Sequence, residues 1–118
     1  GARPDRLAGP ELGGVALAAA ASLASGLPFV IVRKEAKEYG TEKRLEGSFE
    51  RGDSVCVVED VVTSGGAAVS AVEALRDAGL ECRSVVCVVD REEGGADVLA
   101  RHAVRLVPLF RASEVLEA

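Results

Sequence analysis

Apolar runs of strand length alternate along the chain with segments of helix length, and polar, glycine-marked breaks separate them. The Val-rich runs SVCVV (residues 54–58) and RSVVCVVD (residues 83–90) lack the period-two alternation of a half-solvated strand, so they predict strands buried on both faces. PFVIVR (28–33) and VRLVPLF (104–110) predict two more, and DRLAG (5–9) predicts a short first strand. A helix is predicted over residues 15–25 with Gly26 as its closing glycine, and a second over 66–79, where Val69, Val72 and Leu75 recur along one side and Gly79 closes it. Two shorter helices are predicted over 96–102 and 113–118. The Ala-rich run GGVALAAAASLASG predicts a buried helix, since it is too short and too broken by serine to demand a membrane. This order predicts an α/β fold: a right-handed succession of βαβ units about a central parallel sheet, with ligands at the carboxyl ends of the strands.

One stretch does not fit the alternation. KEAKEYGTEKRLEGSFERGD, residues 34–53, is polar, charged and punctuated by Gly40 and Gly47. So long a connection in so small a chain is functional or disordered. From Arg33 to Arg44 it carries five basic residues against three acidic ones, which by itself describes a solvated loop.

Composition narrows the classes. At 118 residues, 48% hydrophobic and 28% charged, the chain is one ordered domain, read as spanning residues 1–118. A net charge of −5 argues against a general nucleic-acid surface or an anionic-membrane surface, so any anion site must be local. Cys56, Cys82 and Cys87 are odd in number and lack paired ligand spacing, and two of them sit inside Val-rich strands, which predicts core residues in a reduced, cytoplasmic compartment. His102 is the single histidine and has no partner at ligand spacing, so it is read as structural, and chemistry built on a histidine triad is not expected. The chain has no methionine and opens on GARPD, which suggests a processed chain or a piece of a longer one.

The candidate chemistry lies in VCVVEDVVTSGGAAV, residues 55–69. Glu59 and Asp60 are read as ending a buried strand, where an unpaired carboxylate is costly. They either reach solvent at the strand tip, accept hydrogen bonds from vicinal hydroxyls such as those of a ribose, or hold Mg²⁺ through water. Thr63, Ser64, Gly65 and Gly66 then open a helix whose first N–H groups and positive dipole end suit a phosphate. Acids for a sugar beside a cradle for a phosphate describe a ribose phosphate. Neither the P-loop pattern nor the dinucleotide fingerprint is present.

The same string resembles the phosphoribosyl-pyrophosphate (PRPP) signature of the type I phosphoribosyltransferases. The resemblance implies their Rossmann-like three-layer fold, with Glu59 and Asp60 on the ribose hydroxyls and Val61 and Val62 as the apolar spacer. Thr63, Ser64, Gly65, Gly66 and Ala67 would then wrap the 5′-phosphate. RKEAKEYG resembles the catalytic loop of orotate phosphoribosyltransferase, in which Arg33, Lys34 and Lys37 match and Tyr39 replaces the usual histidine. DREEGG resembles a segment whose arginine contacts orotate, here Arg91, with Thr63 nearby; on its residues alone Arg91 would pair with Glu92 or Glu93. Glu11, Leu12, Gly13 and Gly14 fall where the family has its pyrophosphate loop.

The family resemblance further implies Mg²⁺ as cofactor, PRPP and orotate as substrates, and a homodimer in which loop residues reach the neighbouring site. Nucleic acid and membranes are not implied. It covers essentially the whole chain but not an N-terminal hood of several tens of residues, so a shortened member is expected. A phosphoribosyltransferase for another base and a non-catalytic PRPP-sensing module are the alternatives.

Overall fold

The computed structural model describes residues 3–35 and 44–116. Its elements are β1 (Arg6–Pro10), α1 (Gly13–Ser25), β2 (Phe29–Val32), β3 (Leu45–Glu46), β4 (Ser54–Val62), α2 (Gly66–Asp77), β5 (Glu81–Asp90), α3 (Gly95–Arg101), β6 (Arg105–Arg111) and α4 (Ala112–Leu116). They form a six-stranded sheet in the order β3-β2-β1-β4-β5-β6. Every neighbouring pair is parallel except β2 with β3. The expected parallel α/β sheet is therefore present, with one short antiparallel edge strand.

The core lies where α2 and α3 meet the sheet. Val72, Leu75 and Leu99 are fully buried against Val57, Val85 and Cys87, and each such aliphatic side chain contributes roughly 1.5–3 kcal/mol. Arg76 ties the layers together, donating to the carbonyls of His102 and Cys82, each at 2.7 Å. That bond gives His102, the C-cap of α3, a structural place. The three cysteines are free and buried, and burial pushes the thiols of Cys82 and Cys87 up to about 11, so they are inert core residues.

Several expectations change. β4 does not stop at the acid pair but runs on to Val62, because β5 continues to partner it through Val61↔Val89 and Val62↔Asp90. β5 begins at Glu81, two residues early, paired with Ser54 before a register shift at Val55/Cys56. Part of the long connection is strand: Leu45 and Glu46 pair with Val32 and Ile31. Gly47, just after β3, packs against β2, where an added Cβ would lie 3.1 Å from Val30 Cγ1.

The helix α1 begins at Gly13 and is not the buried helix its composition suggests. Gly14 and Ala18 are its buried residues and Leu23 is 89% exposed. It meets the sheet through small residues on one side: a Cβ on Gly9 of β1 would lie 2.5 Å from the Gly14 carbonyl oxygen and 2.8 Å from Ala18 Cβ. Among the described residues, no helix is long and apolar enough to cross a membrane.

Candidate functional site

The sheet order reverses between β1 and β4: the chain steps from β1 outward to β2, and from β4 the other way to β5 and β6. Right-handed crossovers then send α1 to one face and α2 and α3 to the other, so a crevice opens at the carboxyl ends of β1 and β4. The Glu11–Gly14 turn, the Glu59/Asp60 pair and the turn into α2 converge there. The turn after β1, including Glu11 and Leu12, enters α1 on top of β4. A Cβ on Gly14 would lie 2.6 Å from the Val58 carbonyl oxygen and 3.3 Å from Glu59 Oε1, and a Cβ on Gly13 would overlap the Asp60 carboxylate. Hydrogen at these two positions lets the turn rest against the acid strand.

Glu59 and Asp60 differ sharply in environment. Both carboxyls lie against the start of α1, yet Glu59 is 8% exposed while Asp60 is open to solvent. The Asp60 N–H donates to Glu59 Oε1 at 3.1 Å, and the Val61 N–H to Asp60 Oδ1 at 2.8 Å. Burial, and after it the hydrogen bond and charge of the neighbouring Asp60 carboxyl, push the Glu59 carboxyl up to about 7. It lines a recess of about 30 Å³ with Val61, Val62, Thr63, Gly65 and Ala67.

Beyond the acids the chain turns through exposed Thr63 and Ser64 into α2. Gly65 is the N-cap at φ +94°, a conformation that an L side chain strongly disfavours, and a Cβ there would lie 3.1 Å from Gly95 Cα. No side chain caps α2. The first N–H groups, at Gly66 and Ala67, are therefore offered to whatever anion enters the crevice.

A larger cavity of about 620 Å³ adjoins the turn, bounded by Glu11, Leu12, Arg33, Lys34, Arg44 and Ser70 among others. Lys34 is exposed, whereas Arg33 is half-buried and its guanidinium ion-pairs with Glu46 of β3. Lys37, Tyr39 and Gly40 lie outside the described residues. Sequence reasoning missed Arg44, whose Nε donates to the Arg33 carbonyl at 3.0 Å. Arg91 follows β5, and its N–H donates to the Val62 carbonyl at 2.9 Å, next to Thr63. Its side chain reaches Glu93 at 3.4 Å with both groups half exposed, a pairing worth about 0–1 kcal/mol that leaves the guanidinium available. Glu92 turns away, accepting the Ser113 N–H at 2.9 Å. Among the described residues, no group of three or more His, Cys, Asp or Glu side chains could enclose a metal ion.

The crevice thus offers one buried and one exposed carboxylate, uncapped helix amides and a basic rim. Residues 1–107 match the family described as the phosphoribosyl transferase domain. The orotate phosphoribosyltransferase of Halobacterium salinarum is 54% identical over 112 residues, covering 95% of this chain and 64% of that protein. The crystal structure of orotate phosphoribosyltransferase from Aeropyrum pernix superposes with a TM-score of 0.89 at 36% identity, over 98% of this chain and 64% of that one. The Mycobacterium tuberculosis orotate phosphoribosyltransferase, solved in complex with PRPP, gives 0.83 at 33% identity over 96% of this chain and 66% of that one. The chain therefore spans somewhat under two thirds of the length of the curated relatives it matches. On its fold, its crevice and the match over residues 1–107, the chain belongs to the phosphoribosyl transferase domain family.

Proposed function

We propose that the chain is the core of an orotate phosphoribosyltransferase, which moves ribose 5-phosphate from PRPP to a ring nitrogen of orotate and releases pyrophosphate and orotidine 5′-monophosphate, a step of pyrimidine (UMP) biosynthesis. The observation that carries this reading is the convergence at the β1/β4 reversal of the Glu11–Gly14 turn, the Glu59/Asp60 pair and the uncapped start of α2. Its support as to base is the 54% identity to an orotate phosphoribosyltransferase.

In this reading Glu59 and Asp60 accept hydrogen bonds from the two ribose hydroxyls. The 5′-phosphate sits on Thr63, Ser64 and the amides of Gly65, Gly66 and Ala67, and Val61 and Val62 set the spacing between the two subsites. The backbone of Glu11, Leu12, Gly13 and Gly14 takes the pyrophosphate. Arg91, beside Thr63, presents a planar fork to the orotate carboxylate.

The reaction places positive charge on the ribose ring and negative charge on the departing pyrophosphate, so electrostatic stabilisation dominates. Arg33, Lys34 and, from the catalytic loop, Lys37 and Tyr39 serve the leaving group by charge or hydrogen bond. The donor set also fits Mg²⁺ of the kind held by one or two carboxylates plus substrate oxygens and water, with Asp60 exposed and Glu59 behind it. Bound that way, the ion would supply charge neutralisation to the pyrophosphate. A homodimer with shared sites and a cytoplasmic setting, congenial to three free thiols, complete the proposal.

The test is pyrophosphate release from PRPP and Mg²⁺ with orotate, uracil, adenine and hypoxanthine offered separately. Release with orotate alone is the expected result. Release with another base refutes the choice of substrate, and PRPP binding without release from any base would make the chain a PRPP-binding module.

A further inference from the structure

We propose that Arg44, acting with Glu11, is a positioning residue: it fixes the peptide unit between Arg33 and Lys34 and so sets these two cations at the rim of the cavity between α2 and the turn after β1. This rests on the function proposed above. The Arg33 carbonyl accepts from Arg44 Nε at 3.0 Å, and the Lys34 N–H donates to Glu11 Oε1 at 2.9 Å. These are the two polar groups of a single peptide plane, gripped from opposite sides. Because the peptide is rigid, fixing its oxygen and its hydrogen fixes the rotation of the whole plane and the directions in which the chain leaves it.

The grip is anchored at both ends. The Arg33 N–H donates to the Arg44 carbonyl at 2.6 Å, so the two residues are joined by backbone as well as by side chain. Arg44 Nη1 lies 3.5 Å from the Ser70 carbonyl of α2, at the limit of a hydrogen bond. Glu11 belongs to the turn that rests on β4, and its own N–H donates to the Val32 carbonyl at 2.9 Å. Helix α2, Arg44, the Arg33–Lys34 peptide, Glu11 and the turn therefore form one continuous chain of polar contacts around the cavity. An arginine suits this place because its planar fork can serve carbonyls on two elements at once, which a lysine ammonium on a flexible stem does poorly. The half-buried Arg33 guanidinium is itself held by its ion pair with Glu46 of β3.

The test uses the full chain and the variants Arg44→Met, Arg44→Lys and Lys34→Ala. In ¹⁵N-resolved amide exchange, Lys34 is expected to exchange about tenfold faster in Arg44→Met than in the unmodified protein, with Arg44→Lys intermediate and exchange of the β4 and β5 amides unchanged. In turnover with PRPP and orotate, Arg44→Met is expected to lower kcat about tenfold with KM for PRPP within twofold. The double variant with Lys34→Ala should lose clearly less than the product of the two single losses, because part of the effect of Arg44 runs through Lys34 and the rest through Arg33. Unchanged Lys34 exchange overturns the proposal, and so does a double variant whose loss is the product of the two single losses. If the unmodified protein neither binds PRPP nor releases pyrophosphate, the functional reading fails by itself, and Lys34 exchange still decides whether Arg44 holds the peptide. Should Arg44→Met not fold, Arg44→Lys carries the same comparison.

Discussion

Glu59 gives the most direct quantitative test of the site, because its cost to the fold and its use to a ligand have opposite signs. Burial beside Asp60 raises its carboxyl from an ordinary 4.5 to about 7. A carboxyl raised on folding holds its proton in the native state where the unfolded chain has lost it. Its contribution is therefore fully present below about pH 4.5 and is lost as pH rises through 7. At ~1.4 kcal/mol per pH unit the whole loss is about 3 kcal/mol. Between pH 5.5 and 8.5, a range clear of the sequence pI of 4.9, about 2 kcal/mol of it should be observable. Gln at this position keeps the shape, can accept from the Asp60 N–H, and donates to the Asp60 carboxylate where an ionised Glu59 repels it. The expected result is that Glu59→Gln gains about 2 kcal/mol on the parent protein between pH 5.5 and pH 8.5, equivalent to roughly 8 °C in Tm. Urea unfolding of both proteins at the two pH values measures it, and titrating groups that do not touch position 59 cancel in the double difference. A stability difference that stays constant within about 0.5 kcal/mol between the two pH values would refute the assignment of a buried, proton-holding Glu59. PRPP binding should move the other way, with Glu59→Gln weaker at pH 8.5 although it is the more stable protein.

Three further changes probe different parts of the crevice and its support. Asp60→Asn removes the charged acceptor proposed for a ribose hydroxyl and should weaken PRPP binding about tenfold or more by titration calorimetry, with little change in Tm because the side chain is exposed; unchanged affinity removes Asp60 from the sugar site. Gly65→Ala places a Cβ at φ +94° and 3.1 Å from Gly95 Cα, so it should destabilise by about 1–3 kcal/mol and weaken binding of inorganic phosphate; an unaltered protein would mean the turn can relax. Arg76→Met leaves the carbonyls of His102 and Cys82 without their 2.7 Å partners and should lower unfolding stability by roughly 2–4 kcal/mol while PRPP affinity in the folded fraction stays the same.

The parallel sheet was legible because its central strands are unbroken Val-rich runs, and only a strand covered on both faces tolerates them. What the pattern misjudged has a physical reason in each case. A pair of acids reads as the end of a buried strand, yet β4 continues past them because backbone pairing with β5 is indifferent to side-chain charge and Asp60 has solvent to face. The two residues of β3 are too few to show a period. An alanine-rich helix has no polar stripe to mark its outer side, so the exposure of Leu23 on α1 was invisible. Arg44 escaped notice because it bonds to carbonyl oxygens, which every residue carries, so no partner side chain marks the contact in the sequence.

The acids and the glycine turn were legible for a different reason: each is out of place by the ordinary rules of folding. A carboxylate under a helix, a left-handed N-cap and a helix start without a capping side chain all cost stability where they occur. A sequence selected for stability alone would replace Glu59 with an uncharged residue and cap α2 with serine or aspartate. A buried acid, a left-handed glycine N-cap and an uncapped helix start recur from Asp90 to Gly94 ahead of α3, but it is the stretch from Glu59 to Gly66 that the fold carries to the point where its sheet reverses direction and a crevice must open. Topology supplies the opening, and local instability supplies free amides and a carboxyl poised near neutrality. In the function proposed, a bound ribose phosphate would relieve both, its phosphate satisfying the amides and its hydroxyls the carboxylates. The apo protein should accordingly be less stable than the liganded one by more than other small anions achieve: inorganic phosphate reaches only the amides, whereas PRPP reaches the amides and Glu59 together.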